Sequence, residues 1–285
     1  MAVREELLRN IRSVEPYVPG EQPQHKVVKL NTNENPYPPA PGVERVLKEM
    51  DTDRFRLYPD PTADELVGSL ADYYGVGKDQ VFVGVGSDDV ISMCFLTFFN
   101  SDLPILFPDI TYSFYDVWAE LFQIPYERPA LDDAFALRLE DYQCENGGIV
   151  IANPNAPTGI RQSEEFLRAV IEANPNVVVI IDEAYADFSG YTALSLVDEY
   201  ENVVVVQTFS KSRSMAGMRI GHAIGNAKLI KAMNDVRYSF NSYPMTRLSV
   251  ALGVAALSDQ DYFEETTAKI VATRERTKQA LTELG

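Results

Sequence analysis

From about residue 80 onward, short apolar segments alternate with segments of helical periodicity. Runs of Val and Ile that are apolar at every position are typical of strands buried on both faces. We predict strands at 81–85, 104–107, 148–152, 177–181, 203–207 and 220–224. The segments between them predict helices at 88–99, 112–122, 162–173 and 226–236. This alternation predicts an α/β fold in which helices cover a mostly parallel central sheet.

The two flanks of this region have different patterns. The first dozen residues have the period of a short amphipathic helix, and the Pro-, Gly- and Asn-rich stretch 15–42 predicts an extended arm. Helical period returns at 43–50, and the Thr62-x-x-Glu65 pattern predicts a capping box for the next helix. After residue 239 the chain reads as helical, with a long helix at 262–284. We therefore predict an arm (1–42), a large domain (43–240) and linking helices (241–285) toward a smaller α/β domain that is incomplete here.

Composition excludes several classes of function. The 285 residues are 46% hydrophobic, enough for a sizeable core, and their net charge of −17 argues against nucleic-acid and anionic-membrane partners. The cysteines, Cys94 and Cys144, and the histidines, His25 and His222, have no metal-ligand spacing, so we predict no metal site and a reducing compartment. We see no apolar leader segment and no run of 18 apolar residues, and we therefore expect a cytoplasmic protein.

The first candidate for chemistry follows the four valines at 203–206. Thr208 and Ser210 lead to Lys211, and Arg219 comes a short distance later. Hydroxyls and a guanidinium suit a phosphate, because arginine offers planar, paired donors. A lysine beside a bound phosphate is what pyridoxal 5′-phosphate (PLP) requires, since its aldehyde forms a Schiff base with the amine. The alternative is a basic loop that binds no cofactor.

A second candidate, Asp182, follows the predicted strand 177–181. A carboxylate there can pair with the pyridine nitrogen of PLP, and Tyr185 can donate to the ring oxygen. For Asp182 alone, a strand-end cap or a metal carboxylate is an open alternative. Ligands in such sheets bind at the carboxyl ends of the strands. Other side chains that follow predicted strands are Ser87, Tyr112, Asn155 and Ser210.

Several motifs occur in the order and at the spacing of a known family. They are LNTNENPY at 30–37, YPDP at 58–61, GVGSDD at 84–89, YSFY at 112–115, NPNAPTG at 153–159, DEAY at 182–185, SK at 210–211 and GMRIG at 217–221. Together they resemble the fold-type I PLP-dependent aminotransferases and, within that group, the histidinol-phosphate aminotransferases. The resemblance covers nearly the whole chain.

The resemblance implies a role for each matched residue. Lys211 would bind the cofactor covalently and carry the proton to and from the substrate α-carbon. Asp182 would pair with the ring nitrogen, and Tyr185 with the ring oxygen. The phosphate would be bound by backbone N–H groups at a helix start and by three side chains, a set made of Ser87, Asp88, Thr208, Ser210 and Arg219.

The remaining implied roles concern the ring face, the substrate and a second subunit. Tyr112 would stack on the ring, although it could also be a core aromatic residue. Tyr58 would reach the phosphate bound by a neighbouring subunit, which implies a homodimer with shared sites; a surface turn is the alternative. Tyr17 and Asn35 would contact the substrate.

The sequence also departs from the family pattern. Ala156 stands where the family has an asparagine that contacts the ring oxygen, and Asn155 is a possible replacement. Ile110 stands two residues before Tyr112, where family members commonly have a proline. Family members continue past the position of Gly285, and we expect the arginine that grips the substrate anion to lie in that later segment.

The implied reaction is reversible amino transfer between L-histidinol phosphate and 2-oxoglutarate, a step of histidine biosynthesis that yields imidazole acetol phosphate and glutamate. Three alternatives stay open at this point. They are an aromatic amino-acid aminotransferase, an enzyme resembling threonine-phosphate decarboxylase, and a PLP-binding module without catalysis.

Overall fold

A seven-stranded sheet forms the centre of the molecule in the computed structural model, which describes residues 3–18 and 20–285. Its strands are β1 (Val81–Gly84), β2 (Ile105–Leu106), β3 (Tyr126–Glu127), β4 (Gly148–Ala152), β5 (Val179–Asp182), β6 (Val203–Thr208) and β7 (Gly221–Gly225). Their order is β1-β7-β6-β5-β4-β2-β3, and β7 alone runs antiparallel to its neighbours. The prediction of a mostly parallel sheet in an α/β fold is confirmed.

Helices cover both faces of the sheet. The α-helices of the described residues are α1 (Glu5–Leu8), α2 (Pro41–Glu49), α3 (Asp64–Tyr74), α4 (Ser87–Phe98), α5 (Phe114–Phe122), α6 (Glu164–Ala173), α7 (Ser195–Glu199), α8 (Ala227–Phe240), α9 (Arg247–Ser258) and α10 (Gln260–Leu284). One core contains side chains of α4, α5 and α8, and the other contains side chains of α2, α3, α6, α7 and α9. Because strand side chains alternate between faces, Ile180 belongs to the first core and Ile181 to the second.

The helix after residue 62 begins differently from the prediction. Its N-cap is Ala63, in the left-handed region with no side-chain cap, so the predicted capping box is wrong. Asp60 takes over this role, because its Oδ2 accepts from the Asp64 N–H at 2.9 Å. Thr62 is drawn into the same turn and donates its hydroxyl to Asp60 at 2.7 Å. The Asp60 carboxylate, upstream of the helix, therefore accepts a hydrogen bond from an N–H group of the first turn.

The arm contains one short helix, α1, and otherwise no helix or strand among its described residues up to Ala40. Its later part lies against the carboxyl ends of the strands, where Asn35 Nδ2 donates to the Lys211 carbonyl at 2.9 Å. This contact brings the arm to the predicted site. The domain boundaries themselves stay a prediction. Within the described part of the chain, no helix is both long enough and apolar enough to cross a membrane.

Candidate active site

The strand ends that carry the predicted residues meet at one edge of the sheet. Gly221, at the start of β7, pairs with Gly84 at the end of β1 and with Thr208 at the end of β6. Asp182, at the end of β5, pairs with Ala152 at the end of β4. The edge therefore brings together segments that are far apart in sequence.

Two glycines allow the start of α4 to lie directly against β7. Gly86 has φ +90°, and a Cβ at Gly221 would lie 2.3 Å from the Gly86 carbonyl carbon and 2.4 Å from the Ser87 nitrogen. Any side chain at Gly221 would therefore collide with backbone. Gly86 is also the N-cap, without a side-chain cap, so the N–H groups of the first turn have no acceptor within the helix. Such a helix start is suited to an anion.

Arg219 and Tyr112 both bind the side chain of Asp88 in the first turn of this helix. Arg219 Nη2 lies 3.1 Å from Asp88 Oδ2, and the Tyr112 hydroxyl donates to Asp88 Oδ1 at 2.9 Å. Burial and the neighbouring Asp88 raise the pKa of Tyr112 far above its ordinary value, so its hydroxyl stays a neutral donor. The sequence indicated the backbone of Asp88 as a ligand, and the structure adds its carboxylate as a bridge.

Thr208 and Ser210 form a compact hydroxyl pair behind Arg219. The Thr208 hydroxyl lies 3.0 Å from Ser210 Oγ and 3.3 Å from the Ile220 carbonyl, and it accepts from the Ser210 N–H at 3.1 Å. Both side chains are buried. The two hydroxyls are thus fixed by the turn between β6 and β7.

Asp182 lies buried at the end of β5. Its Oδ2 accepts from the Tyr115 hydroxyl at 2.6 Å and its Oδ1 from the Ala184 N–H at 3.1 Å. Burial raises the pKa of Asp182 to about 6, against the effect of these two hydrogen bonds, which favour the ionised form. Ionisation of this carboxyl group is therefore less favourable than it would be in water.

Lys211 and Tyr185 face each other under the arm. The Lys211 amine donates to the Thr32 carbonyl at 2.9 Å and lies 5.6 Å from the centre of the Tyr185 ring. Asn33 Nδ2 donates to the Tyr185 hydroxyl at 2.9 Å. Together with Asn35, these arm residues bind the lysine side chain, the lysine backbone and the tyrosine.

Three predicted residues lie outside this cluster or are occupied elsewhere. Tyr58 is 81% exposed and stacks on Tyr243, with ring centres 5.0 Å apart. Tyr17 stacks on Phe114 with ring centres 4.3 Å apart, and Phe114 lies 5.6 Å from the centre of the Tyr112 ring. Asn155 is hydrogen-bonded to residues of its own loop and of the neighbouring one.

The Asn155 amide braces the loops beside the sheet edge. Its Oδ1 accepts from the Thr111 hydroxyl at 2.7 Å, and its Nδ2 donates to the Ile110 carbonyl at 2.9 Å and to Thr158 Oγ1 at 3.0 Å. Both amide hydrogens are therefore used within the loops. A contact of Asn155 with the cofactor ring in place of the asparagine missing at Ala156 stays a prediction.

The sequence did not identify Tyr115, Thr32 and Asn33 as site residues. Tyr115 lies three residues after Tyr112, and aromatic residues at this helical spacing are typical of a core position. Thr32 contributes a backbone carbonyl, which carries no residue-specific signal. Within the described residues, no group of three or more His, Cys, Asp and Glu side chains is placed to bind a metal ion.

Known proteins with similar sequences are aminotransferases. Histidinol-phosphate aminotransferase from Chromohalobacter salexigens is 51% identical over 275 residues, which are 96% of this chain and 78% of that protein. The protein of the same name from Lactococcus lactis subsp. cremoris is 50% identical over 277 residues, 97% of this chain and 78% of that protein.

Solved structures agree in fold. The Sinorhizobium meliloti histidinol-phosphate aminotransferase in complex with pyridoxal-5′-phosphate has a TM-score of 0.79 and 25% identity, covering 86% of this chain and 68% of that chain. The Clostridium acetobutylicum histidinol-phosphate aminotransferase has a TM-score of 0.81 at 22% identity, and the match covers 89% of this chain and 76% of that chain. The family model described as "Aminotransferase class I and II" matches residues 25–285. The predicted resemblance is thus confirmed, and the chain belongs to the class I and II aminotransferase family.

Proposed function

We propose that this protein is a PLP-dependent aminotransferase that transfers an amino group between L-histidinol phosphate and 2-oxoglutarate in histidine biosynthesis. The observation that carries the proposal is the meeting of the Lys211 amine, the buried Asp182 carboxyl group and the uncapped start of α4 at one sheet edge. The specific reaction rests on relatives that are 50–51% identical and bear the name of this activity.

The residues at the sheet edge fit the phosphate of PLP. Because Gly221 has no side chain, β7 can lie directly against the backbone of Gly86 and Ser87 at the start of α4. Arg219 lies beside them, within 3.1 Å of Asp88, and the fixed hydroxyls of Thr208 and Ser210 are nearby in sequence and fold. Backbone N–H groups, a guanidinium and hydroxyls are the donors that bind phosphate in proteins.

The residues also fit the pyridine ring. Asp182 offers an oriented carboxyl group to the ring nitrogen, Tyr185 a hydroxyl to the ring oxygen, and Tyr112 an aromatic face. When bound, PLP supplies an aldehyde that condenses with amines and a ring that takes up electrons from the substrate α-carbon.

The chain's own groups then control the protons. We assign Lys211 Nζ as the amine that would hold the cofactor and as the base that would move the proton at the substrate α-carbon. The Asp182 carboxylate would pair with the ring nitrogen and favour its protonated form. The arm residue Asn33 orients the Tyr185 hydroxyl, and Asn35 fixes the Lys211 backbone, so both groups are held in place before substrate arrives.

We also propose that the active form is a homodimer with shared sites. Tyr58 is exposed and is held in position by its stacking on Tyr243 and by Arg247 Nη2, which donates to the Tyr58 carbonyl at 3.0 Å. A rigid, exposed tyrosine is suited to reach a neighbouring subunit. Because Cys94 and Cys144 are both free, we further propose the cytoplasm as the compartment.

The choice of amino donor tests the proposed function. We expect L-histidinol phosphate to be used at least tenfold more efficiently than phenylalanine or tyrosine, about 1.4 kcal/mol in transition-state binding. The measurement is kcat/KM with 2-oxoglutarate as acceptor, with threonine phosphate as a further donor. Equal efficiency with aromatic amino acids, or release of CO₂ from threonine phosphate, would assign the protein to one of the alternative activities.

A further inference from the structure

The hydroxyl of Tyr115 makes the shortest polar contact of Asp182. Tyr115 lies on α5, its side chain is fully buried, and its hydroxyl lies 2.6 Å from Asp182 Oδ2. The second oxygen of the carboxyl group is held by the Ala184 N–H. Each carboxyl oxygen thus has one fixed donor, which determines the plane of the group and leaves its remaining lone pairs for a ligand.

The position of this hydroxyl is fixed by an aromatic cluster. The Tyr115 ring packs against Phe107 at 5.7 Å edge to face, against Trp118 at 6.4 Å and against Phe95 at 6.5 Å between centres. Burial and the charge of Asp182 raise the pKa of Tyr115 well above its ordinary value. The hydroxyl is therefore neutral, and its oxygen is held beside Asp182 by the packing of the ring.

Other groups around Asp182 raise or lower its pKa. Burial and Asp88, from α4, favour the neutral carboxyl group, whereas Lys211 favours the ionised one. Cys94, also on α4, is buried with a raised pKa and contributes no charge. After burial, the Tyr115 hydrogen bond has the largest effect on the pKa of Asp182, and it stabilises the carboxylate.

We propose that Tyr115 is a positioning residue for the reaction, one that orients the Asp182 carboxylate toward the cofactor's ring nitrogen and keeps it ionised. The inference rests on the proposed function, because it assumes that Asp182 pairs with that nitrogen. Tyr115 itself touches neither substrate nor cofactor in this arrangement. Without this hydroxyl, the pKa of Asp182 would rise further, and the carboxyl group would stay neutral up to a higher pH.

The test compares Tyr115→Phe with Tyr142→Phe. Tyr142 is a second fully buried tyrosine, but its hydroxyl has no hydrogen-bond partner in the part of the chain that the structure describes. In cofactor-free protein, carboxyl ¹³C NMR should show that the pKa of Asp182 rises by about 1 in Tyr115→Phe. It should be unchanged in Tyr142→Phe. An unchanged pKa in Tyr115→Phe would overturn the proposal.

A second readout uses the protein loaded with ¹⁵N-labelled PLP. The ring-nitrogen shift should report a smaller protonated fraction at neutral pH in Tyr115→Phe than in wild type, and kcat should fall about tenfold with KM changed less than twofold. The acid limb of the kcat profile should move to higher pH. Equal nitrogen shifts in the two variants would contradict the assigned role.

The two readouts separate this inference from the proposed function. If the wild-type protein fails to bind PLP, the proposed function is wrong, while the titration of Asp182 still decides whether Tyr115 controls its charge. If Tyr115→Phe does not fold, difluorotyrosine at position 115 retains the ring and makes the hydroxyl a stronger donor. The pKa of Asp182 should then fall, and a constant value would refute the proposal.

Discussion

Replacing Gly221 with alanine tests whether the close contact between β7 and α4 builds the phosphate site. The added Cβ would meet the Gly86 carbonyl carbon at 2.3 Å, the Ser87 nitrogen at 2.4 Å and the Gly86 oxygen at 2.6 Å. All three are backbone atoms, so no side-chain rotation relieves the collision. Ordinary carbon contacts begin near 3.5 Å, so β7 and the first turn of α4 must separate by about 1 Å.

The separation should affect both stability and binding. Overpacking of this kind costs about 1–3 kcal/mol of unfolding free energy. A shift of about 1 Å in groups that position a ligand can cost about 10²-fold, so we expect the dissociation constant of PLP to rise between tenfold and 100-fold. Fluorescence titration with PLP and urea unfolding of the cofactor-free protein measure the two effects.

Gly217→Ala is the matched control. It makes the same substitution four residues earlier, where a Cβ meets no atom within 4 Å among the described residues. We expect its stability within about 0.5 kcal/mol of wild type and an unchanged affinity for PLP. Wild-type affinity in Gly221→Ala would show that the start of α4 does not bind the phosphate.

Two further predictions concern the dimer and the buried carboxyl groups. Mixed Lys211→Ala and Tyr58→Ala subunits should regain activity that neither has alone, because one site of a hybrid dimer is intact; exchange without recovery would exclude shared sites. Burial raises the pKa of Asp182 to about 6 and of Glu183 to about 7. The folded state therefore binds more protons than the unfolded chain, and both groups lower stability as pH rises from about 4 to about 7. When the unfolding free energy is measured in urea as a function of pH, Glu183→Gln should remove about 3 kcal/mol of this loss. An unchanged dependence of the unfolding free energy on pH would refute the prediction.

The central sheet could be predicted because its strands have a strong local signal. β4, β5 and β6 are buried at every position, and runs of Val and Ile that are apolar on both faces are typical of such strands. β3 was not predicted, because its two residues, Tyr126–Glu127, are too few to show the alternating pattern of a strand. The capping residue of α3 was predicted wrongly, because the Asp64 N–H is bound by Asp60, which lies outside the Thr62-x-x-Glu65 motif.

Most of the site residues could be predicted because each follows the end of a strand, and these strand ends meet at one edge of the sheet. Their contacts with distant parts of the chain could not be predicted, because no local pattern encodes them. The Tyr115–Asp182 hydrogen bond joins residues 67 positions apart, and the Lys211–Thr32 bond joins residues 179 positions apart. Asp88 illustrates the same limit, since the motif indicated a backbone ligand and the fold added a carboxylate between Arg219 and Tyr112.

The most direct test of the account is to locate the lysine that binds PLP. The protein is loaded with PLP, reduced with borohydride so that the cofactor stays attached, digested and mapped by mass spectrometry. We predict one modified lysine, Lys211, whose amine lies 5.6 Å from the centre of the Tyr185 ring. We also predict that L-histidinol phosphate added before reduction prevents the labelling. A label on any other lysine, or labelling unaffected by the amino donor, would contradict the proposed active site.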